Sequence, residues 1–522
     1  MAIPSISPDS LTNRESQILH IVPALAGPEA ESWDDLTAEA ETQNDLAAGP
    51  LQLLQSKPAQ TIFFILLLAV VLPVVLPGLA QYREAWPDLR LFIRFNGSAA
   101  TRLDDVPGGA PGSTNAAAPV LPTVATGSAA LSDPQGAMNA FYQSLAKTAA
   151  RQPHAITRII HYGDSPISAD FITGTTRRKM QEHFGDAGHG FILASRPWAW
   201  YNHEGFTFTG SGWASSPLLG SRLSDGAYGL GGVSARAAGA GHYARYAPAA
   251  TTTTGQNSSR IEVYYYKQPN GGSFSVASED GAQQNFDTNN ANTGAGFAEL
   301  RTNATGTHSF EIKVTGGNVR LFGAVLENDG PGVVYDSIGI TGAYAGLFAK
   351  EMNEQHWAEE LRHRNPNLVI INYGTNESQF DAPENFPVYE KDLREVVRRV
   401  RAALPQSSLL IMAPMDRGKR GPGGNIITLP AIPKIVEMQR RVAEETGCAF
   451  FDTFAAMGGN GTMAQWYAGV NGTRLVGGDL MHPTVAGAEY VGQLLYNALA
   501  QGYENYQTAR AQPQATPQTK KN

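Results

Sequence analysis

The stretch ITRIIHYGDS, residues 156–165, decides the fold. Its first seven residues are rich in β-branched side chains, it stops on Gly163, and residues 169–184 beyond it have helical composition with basic residues in their middle. A strand that runs through a tight turn into a helix is the opening of a βαβ unit. Ser165 then falls at the carboxyl end of a parallel strand, in the crevice where open α/β sheets bind ligands, and the following helix N-terminus favours developing negative charge. Taken alone, a Gly-Asp-Ser tripeptide reads more readily as a turn with a helix cap than as a nucleophile.

The same alternation continues downstream. Short apolar runs at 368–373 (LVIINY), 409–413 (LLIMA) and 448–451 (CAFF) suit a parallel sheet covered on both faces. Between them, Leu393, Val396, Val397, Val400 and Leu404 recur at spacings of three and four, the pattern of one buried helix face. Right-handed crossovers make such a series a three-layer α/β sandwich.

Three further motifs bear on chemistry. Asp479 and His482, three apart in GDLMHPT at the entrance to a helix that ends near Leu499, can place the carboxylate on one imidazole nitrogen while the other faces outward. That is the orienter and base a serine nucleophile needs. Of the eleven histidines, His189 shares this spacing with Asp186 but lacks the following proline. Asn376, in YGTNE after the 368–373 strand, brings a side-chain amide to the same rim, where it can donate to an oxyanion. Gly342, in SIGITGA, offers a backbone N–H that a substrate can approach closely. Asp416 and Asp452 also follow strands and are the alternative acids to Asp479.

Gly163-Asp164-Ser165, Gly342, Gly374-Thr375-Asn376 and Asp479 to His482 follow one another in the order of the four blocks of the SGNH hydrolases, the GDSL esterase/lipase family, which this chain resembles. Pro166 replaces the family's leucine, and Glu377 replaces the aspartate after the asparagine. The resemblance implies a flavodoxin-like sheet and a triad of Ser165, His482 and Asp479. It also implies an oxyanion hole made by the N–H groups of Ser165 and Gly342 and the amide of Asn376, with no metal or other cofactor.

The SGNH part is expected at 136–204 and 329–500. Between them, residues 205–328 turn to Gly, Thr, Ser and Asn with short alternating runs at 260–267, 273–278, 297–302, 308–315 and 318–328. These predict an inserted all-β sandwich, jelly-roll-like, with either a structural or a carbohydrate-binding role. That interrupted layout resembles the bacterial peptidoglycan O-acetylesterases. Trp198, Trp200 and Tyr201 lie where the insert begins, and read either as junction packing or as an aromatic substrate-binding surface.

Outside the folded part, residues 58–82 carry no charge, and their centre, IFFILLLAVVLPVVLPGLA at 62–80, is long enough for one transmembrane helix. Residues 1–57 read as a disordered acidic tail, 83–135 as a flexible Ala/Gly/Pro stalk, and 501–522 as a second loose tail. Lys57 before the helix against Arg83, Arg90 and Arg94 after it would leave the C-terminal part inside. The expected chemistry, on a cell-envelope glycan, instead argues for a periplasmic or extracellular catalytic part.

The 522 residues allow two to four folded units. The net charge of −8 comes mostly from the first 57 residues, where nine acids face Arg14 and Lys57. No dense basic block marks a nucleic-acid partner, and a single cysteine, Cys448, rules out an intrachain disulfide or a cysteine-held metal cluster. The expected activity is removal of O-acetyl groups from peptidoglycan or another envelope polysaccharide. An O-acetyltransferase using the same triad, and a non-catalytic carbohydrate-binding protein, are the alternatives.

Overall fold

A computed structural model describes residues 130–511, apart from positions 199, 250, 251, 253 and 380–384. The acidic tail, the expected transmembrane helix at 58–82, the stalk as far as 129 and the last eleven residues lie outside the described residues. Among the described residues no helix is long and apolar enough to cross a membrane, and all of them belong to one compact unit.

The central sheet has six strands, in the order Leu131–Ser132, Ala449–Phe451, Ser408–Met412, Leu368–Asn372, Ile156–Gly163, Gly332–Gly339. All pairs are parallel except the first, which is antiparallel. Numbered along the chain, the five parallel strands stand in the flavodoxin-like order 2-1-3-4-5. Their apolar runs are buried on both faces because successive side chains point to opposite sides. Ile160, Val369, Ile371 and Ile411 join one core with the helices Glu354–Arg364, Phe386–Ala403 and Ala431–Thr446. Ile159, Leu368, Ile370 and Leu410 join a second core with Asn139–Ala149, Phe171–Phe184 and Val485–Ala511. The result is the expected three-layer sandwich.

Four local expectations need correction. Residues 130–135 are not all stalk, since Leu131 and Ser132 pair with Phe451 and Phe450 at the sheet edge. The helix expected over 169–184 runs Phe171–Phe184, and a separate short helix, Ser165–Ser168, precedes it. They are separated by Asp170 in the left-handed region at φ 60°, its carboxylate held by Arg177 at 2.7 Å, Thr173 and the Glu204 backbone N–H. The last helix does not end near Leu499 but continues to Ala511, because Tyr503 packs on the rings of Phe184 and Tyr142. Finally, the β region reaches back before residue 205, since Gly190–Leu193 pairs with Asn318–Glu327.

That β region consists of two antiparallel sheets. One runs Gln283–Asp287, Ser273–Ser278, Phe310–Gly316, Tyr243–Pro248, Phe206–Ser211, and the other Gly294–Thr307, Asn257–Lys267, Asn318–Glu327, Val233–Ala238, Ala214–Pro217. Five of these ten strands stand where the alternating runs place them. The sheets are tied to the α/β layers by a buried ion network. Glu327 ends its strand between Arg158 (2.8 Å) and Arg364 (2.5 Å), with Arg260 as a third partner, and Arg364 also grips Asp336 at 2.6 Å. Burial alone would raise the Glu327 carboxyl, but Arg364, Arg158 and Arg260 together hold it far below the usual carboxylate range.

Candidate active site

The chain leaves the Ile156–Gly163 strand for Gly332–Gly339 on one side of the sheet and later crosses to Leu368–Asn372 on the other. The carboxyl end of Ile156–Gly163 is therefore the switch point, where adjacent loops diverge and leave a crevice. Asp164, in extended conformation, opens the Ser165–Ser168 helix there, its carbonyl accepting the Ile167 and Ser168 N–H groups, and Pro166 supplies a preset φ in its first turn. Gly163 permits the tight exit, since a Cβ at that position would strike Ile167.

Half-buried Ser165 points its Oγ at His482 Nε2, 2.8 Å away. The other ring nitrogen, Nδ1, is 2.5 Å from Asp479 Oδ2. Asp479 Oδ1 accepts the backbone N–H groups of Met481 and His482, each at 3.1 Å, so the carboxylate is fixed independently of the ring. Partial burial would raise the Asp479 carboxyl, but the His482 side chain and these two N–H groups lower it to about 2. Leu480 between them has a left-handed φ of 60° and is buried, its carbonyl accepting the Gly418 N–H at 2.8 Å. Neighbouring structure thus imposes the conformation of the loop that carries the acid and base.

Gly342 follows the Gly332–Gly339 strand at φ +77°, and a Cβ there would lie 2.8 Å from Leu219. The position needs glycine on both counts. Among the described residues neither the Gly342 nor the Ser165 backbone N–H donates to a protein acceptor, the latter because it opens its helix. Asn376 reaches across to the same loop, one amide hydrogen going to the Ala343 carbonyl at 2.8 Å. The structure therefore brings together Ser165, His482, Asp479, Gly342 and Asn376 on one rim. Such a constellation can activate a hydroxyl, hold a developing oxyanion and return a proton to a leaving group.

Asp416 and Asp452 do not belong to it. Asp416 is buried and accepts the Met463 N–H, and Asp452 caps the Thr453–Met457 helix while pairing with Arg440. Asp186 turns from His189 to accept the N–H groups of Gly188 and Gly255. Of the three aromatics, Tyr201 is buried, bonded to His203 and the Leu193 N–H, and Trp198 packs against the core. Trp200 differs, being 50% exposed with its indole N–H donating to Thr341 Oγ1 at 2.8 Å. Thr341 also meets Ser168 Oγ, which donates to the Ser165 carbonyl, so Trp200 stands on the lip of the site.

Two acids inside the quoted motifs, Glu377 and Asp164, take roles that their positions in the sequence did not reveal. Glu377 accepts the Ala345 N–H (3.0 Å) and the Gly374 N–H (2.9 Å), clamping the Asn376 turn onto the Gly342 loop. Burial, and to a lesser degree the charge of Asp164, pushes its carboxyl up to about 7, against the pull of those N–H groups. Asp164, fully enclosed with one oxygen unpartnered, is likewise raised to about 7 by burial, although a Thr375 hydrogen bond and the charges of His482 and Arg417 oppose this. Asp170, His189 and His203 form a compact group of possible metal ligands, but Arg177 takes the carboxylate bidentately and the two rings hydrogen-bond at 3.0 Å.

Residues 302–490 match the GDSL-like lipase/acylhydrolase family, a span that includes Gly342, Asn376, Asp479 and His482 and begins beyond Ser165. Among solved structures, a peptidoglycan O-acetylesterase is similar over 72% of this chain and 99% of that one, at 23% identity and a TM-score of 0.60. That likeness is one of fold. An acetylxylan esterase from Geobacillus stearothermophilus matches at 21% identity over 33% of this chain and 73% of its own, with a TM-score of 0.23. A family two carbohydrate esterase from Clostridium thermocellum, in complex with cellohexaose, matches at 12% identity over 57% and 100%, also at 0.23. Overlaps that loose carry no argument. No curated protein matches the sequence. With the family match lying on the three-layer sheet and covering four of the five rim residues, the chain resembles the carboxylic ester hydrolases of the GDSL-like (SGNH) family.

Proposed function

We propose that the chain is a serine esterase that removes O-acetyl groups from peptidoglycan or another cell-envelope polysaccharide. The observation that carries this reading is the unbroken relay from Ser165 Oγ through His482 to Asp479 at the switch point of the sheet. Ser165 Oγ attacks the ester carbonyl while His482 Nε2 takes its proton, and Asp479 fixes the imidazole tautomer and stabilises the imidazolium. The N–H groups of Ser165 and Gly342 and the amide of Asn376 hold the oxyanion, each donor being worth about 10²- to 10³-fold in rate. Collapse expels the sugar alkoxide, which His482 protonates, leaving acetyl-Ser165. A water deprotonated by His482 then releases acetate and restores the serine.

Trp200 gives the sugar ring that bears the ester an apolar face beside the acyl site. The uncharged run at 62–80 would anchor the protein, with the catalytic part facing the envelope. Incubating the protein with O-acetylated peptidoglycan, and separately with acetylated neutral polysaccharides, and measuring released acetate tests the reading. Release from at least one polymer is expected, and p-nitrophenyl acetate turnover without release from any polymer would refute the glycan assignment. A reporter fused after Asn522 that works only in the cytoplasm would refute the orientation.

A further inference from the structure

The hairpin beside the acid–base loop is basic and has an unusual charge environment. Its strands Gly418–Arg420 and Ile426–Thr428 pair in register, and Gly418 donates to the Leu480 carbonyl between Asp479 and His482. On the other flank of that loop, Leu475 and Thr484 are bonded through the Thr484 N–H and the Leu475 carbonyl at 3.0 Å, which sets Arg474 next to the same segment. The guanidinium groups of Arg420 and Arg474 lie 5.8 and 4.4 Å from the centroid of one ring, Tyr467. Both arginines are exposed, and among the described residues neither has a carboxylate partner.

Several other surface arginines are neutralised by carboxylates. Arg394 pairs with Glu390 and Glu445, Arg398 with Glu354 and Glu395, and Arg441 with Glu390. Two cations on one aromatic ring repel each other, and the ring's quadrupole holds them in place without cancelling their charge. Such a pair next to the acid–base loop, with no carboxylate partner among the described residues, attracts anions.

We propose that Arg420 and Arg474, positioned by Tyr467, form a subsite for anionic groups, carboxylate or phosphate, carried by the acetylated polymer. The subsite rests on the esterase reading and deepens it, selecting acidic over neutral glycans. The guanidinium forks suit either anion. Arg417 extends the basic edge inward, donating to the Thr375 carbonyl and Ser378 Oγ and facing the charges of Asp479 and Asp164.

The test is the double variant Arg420→Gln/Arg474→Gln in the full chain. Acetate release from O-acetylated peptidoglycan should show KM raised about five- to tenfold at low salt, with kcat unchanged. Turnover of acetylxylan and of p-nitrophenyl acetate should stay at the wild-type level, and added salt should raise KM in the wild type far more than in the variant. Arg420→Lys/Arg474→Lys should restore part of the effect, which a merely structural role for the side chains would not. Polygalacturonate and poly(glycerol phosphate) as competitors of the wild-type reaction separate the sources, since inhibition by one alone identifies carboxylate or phosphate. Inhibition by neither, or an equal KM change on acidic and neutral polymers, would overturn the subsite. Loss of p-nitrophenyl acetate turnover in wild type would instead count against the esterase reading, so the two failures are distinguishable.

Discussion

The helix that presents Ser165 is seated on a glycine of the neighbouring strand, and this seat is a sensitive point of the site that no reacting atom touches. Gly339 ends Gly332–Gly339 opposite Gly163, and its backbone conformation is open to any residue. A Cβ built there would lie 2.5 Å from the Ile167 carbonyl carbon and 2.6 Å from Ser168 Cα, with the Ser168 nitrogen closer still. These are backbone atoms of the Ser165–Ser168 helix, so no side chain can swing away. Restoring ordinary contact moves the helix by about 1 Å, and a core overfilled in this way costs about 1–3 kcal/mol. The same movement opens the 2.8 Å contact between Ser165 Oγ and His482 Nε2 beyond hydrogen-bonding distance. A misplacement of about 1 Å at the reacting centre typically costs about 10²-fold. Gly339→Ala should therefore stay folded, melt a few degrees lower, and lose roughly 10²-fold in kcat/KM on p-nitrophenyl acetate. Gly478→Ala is the control, because a Cβ there has nothing within 4 Å, and it should behave as wild type. A folded Gly339→Ala enzyme within about twofold of wild-type kcat/KM would refute the reasoning.

Other expectations follow from the same geometry. Asp479→Asn offers Nδ1 a donor as readily as an acceptor, so the tautomer is no longer fixed and kcat should fall roughly 10³- to 10⁴-fold; retention of a tenth of the rate would contradict the pairing. Asp164 and Glu377 are both raised to about 7 in the fold from ordinary values of 3.8 and 4.5. Their stabilising contribution is thus complete below about pH 4 and is lost as pH rises through about 7. Melting curves at pH 5 and pH 8 should show the lower pH favoured, and Glu377→Gln should flatten that difference; an unchanged difference would argue against Glu377. Trp200→Ala should raise KM for the acetylated glycan about two- to tenfold and leave p-nitrophenyl acetate turnover alone; equal loss on both substrates would mean that the indole only supports Thr341.

How much of this could be read in the sequence depended on how each signal arises. Strands buried on both faces announce themselves as apolar runs, so 368–372 and 408–412 were legible, and each motif at a strand end came with them. Strands such as Ala214–Pro217 and Val233–Ala238 carry Ser, Ala and Arg, and their burial comes from neighbours distant in sequence. Leu131–Ser132 is held by a partner more than three hundred residues away and leaves no local period at all. Asp416 and Asp452 stand after strands as an active acid would, and only their engagement with helix N–H groups separates them from Asp479. The three aromatics at 198–201 look alike in the sequence, yet one is buried by its hydroxyl's partners, one packs, and one stays half exposed.

The central claim is that Ser165 carries the acetyl group. Its most direct test is p-nitrophenyl acetate hydrolysis by wild type and by Ser165→Ala, with folding checked by thermal melting. The variant should melt like wild type and lose at least about 10³-fold in kcat/KM, while the wild-type enzyme, quenched in turnover, should gain one acetyl group on the peptide containing Ser165. A folded Ser165→Ala protein within tenfold of the wild-type rate, or an acetyl group found on another residue, would contradict it.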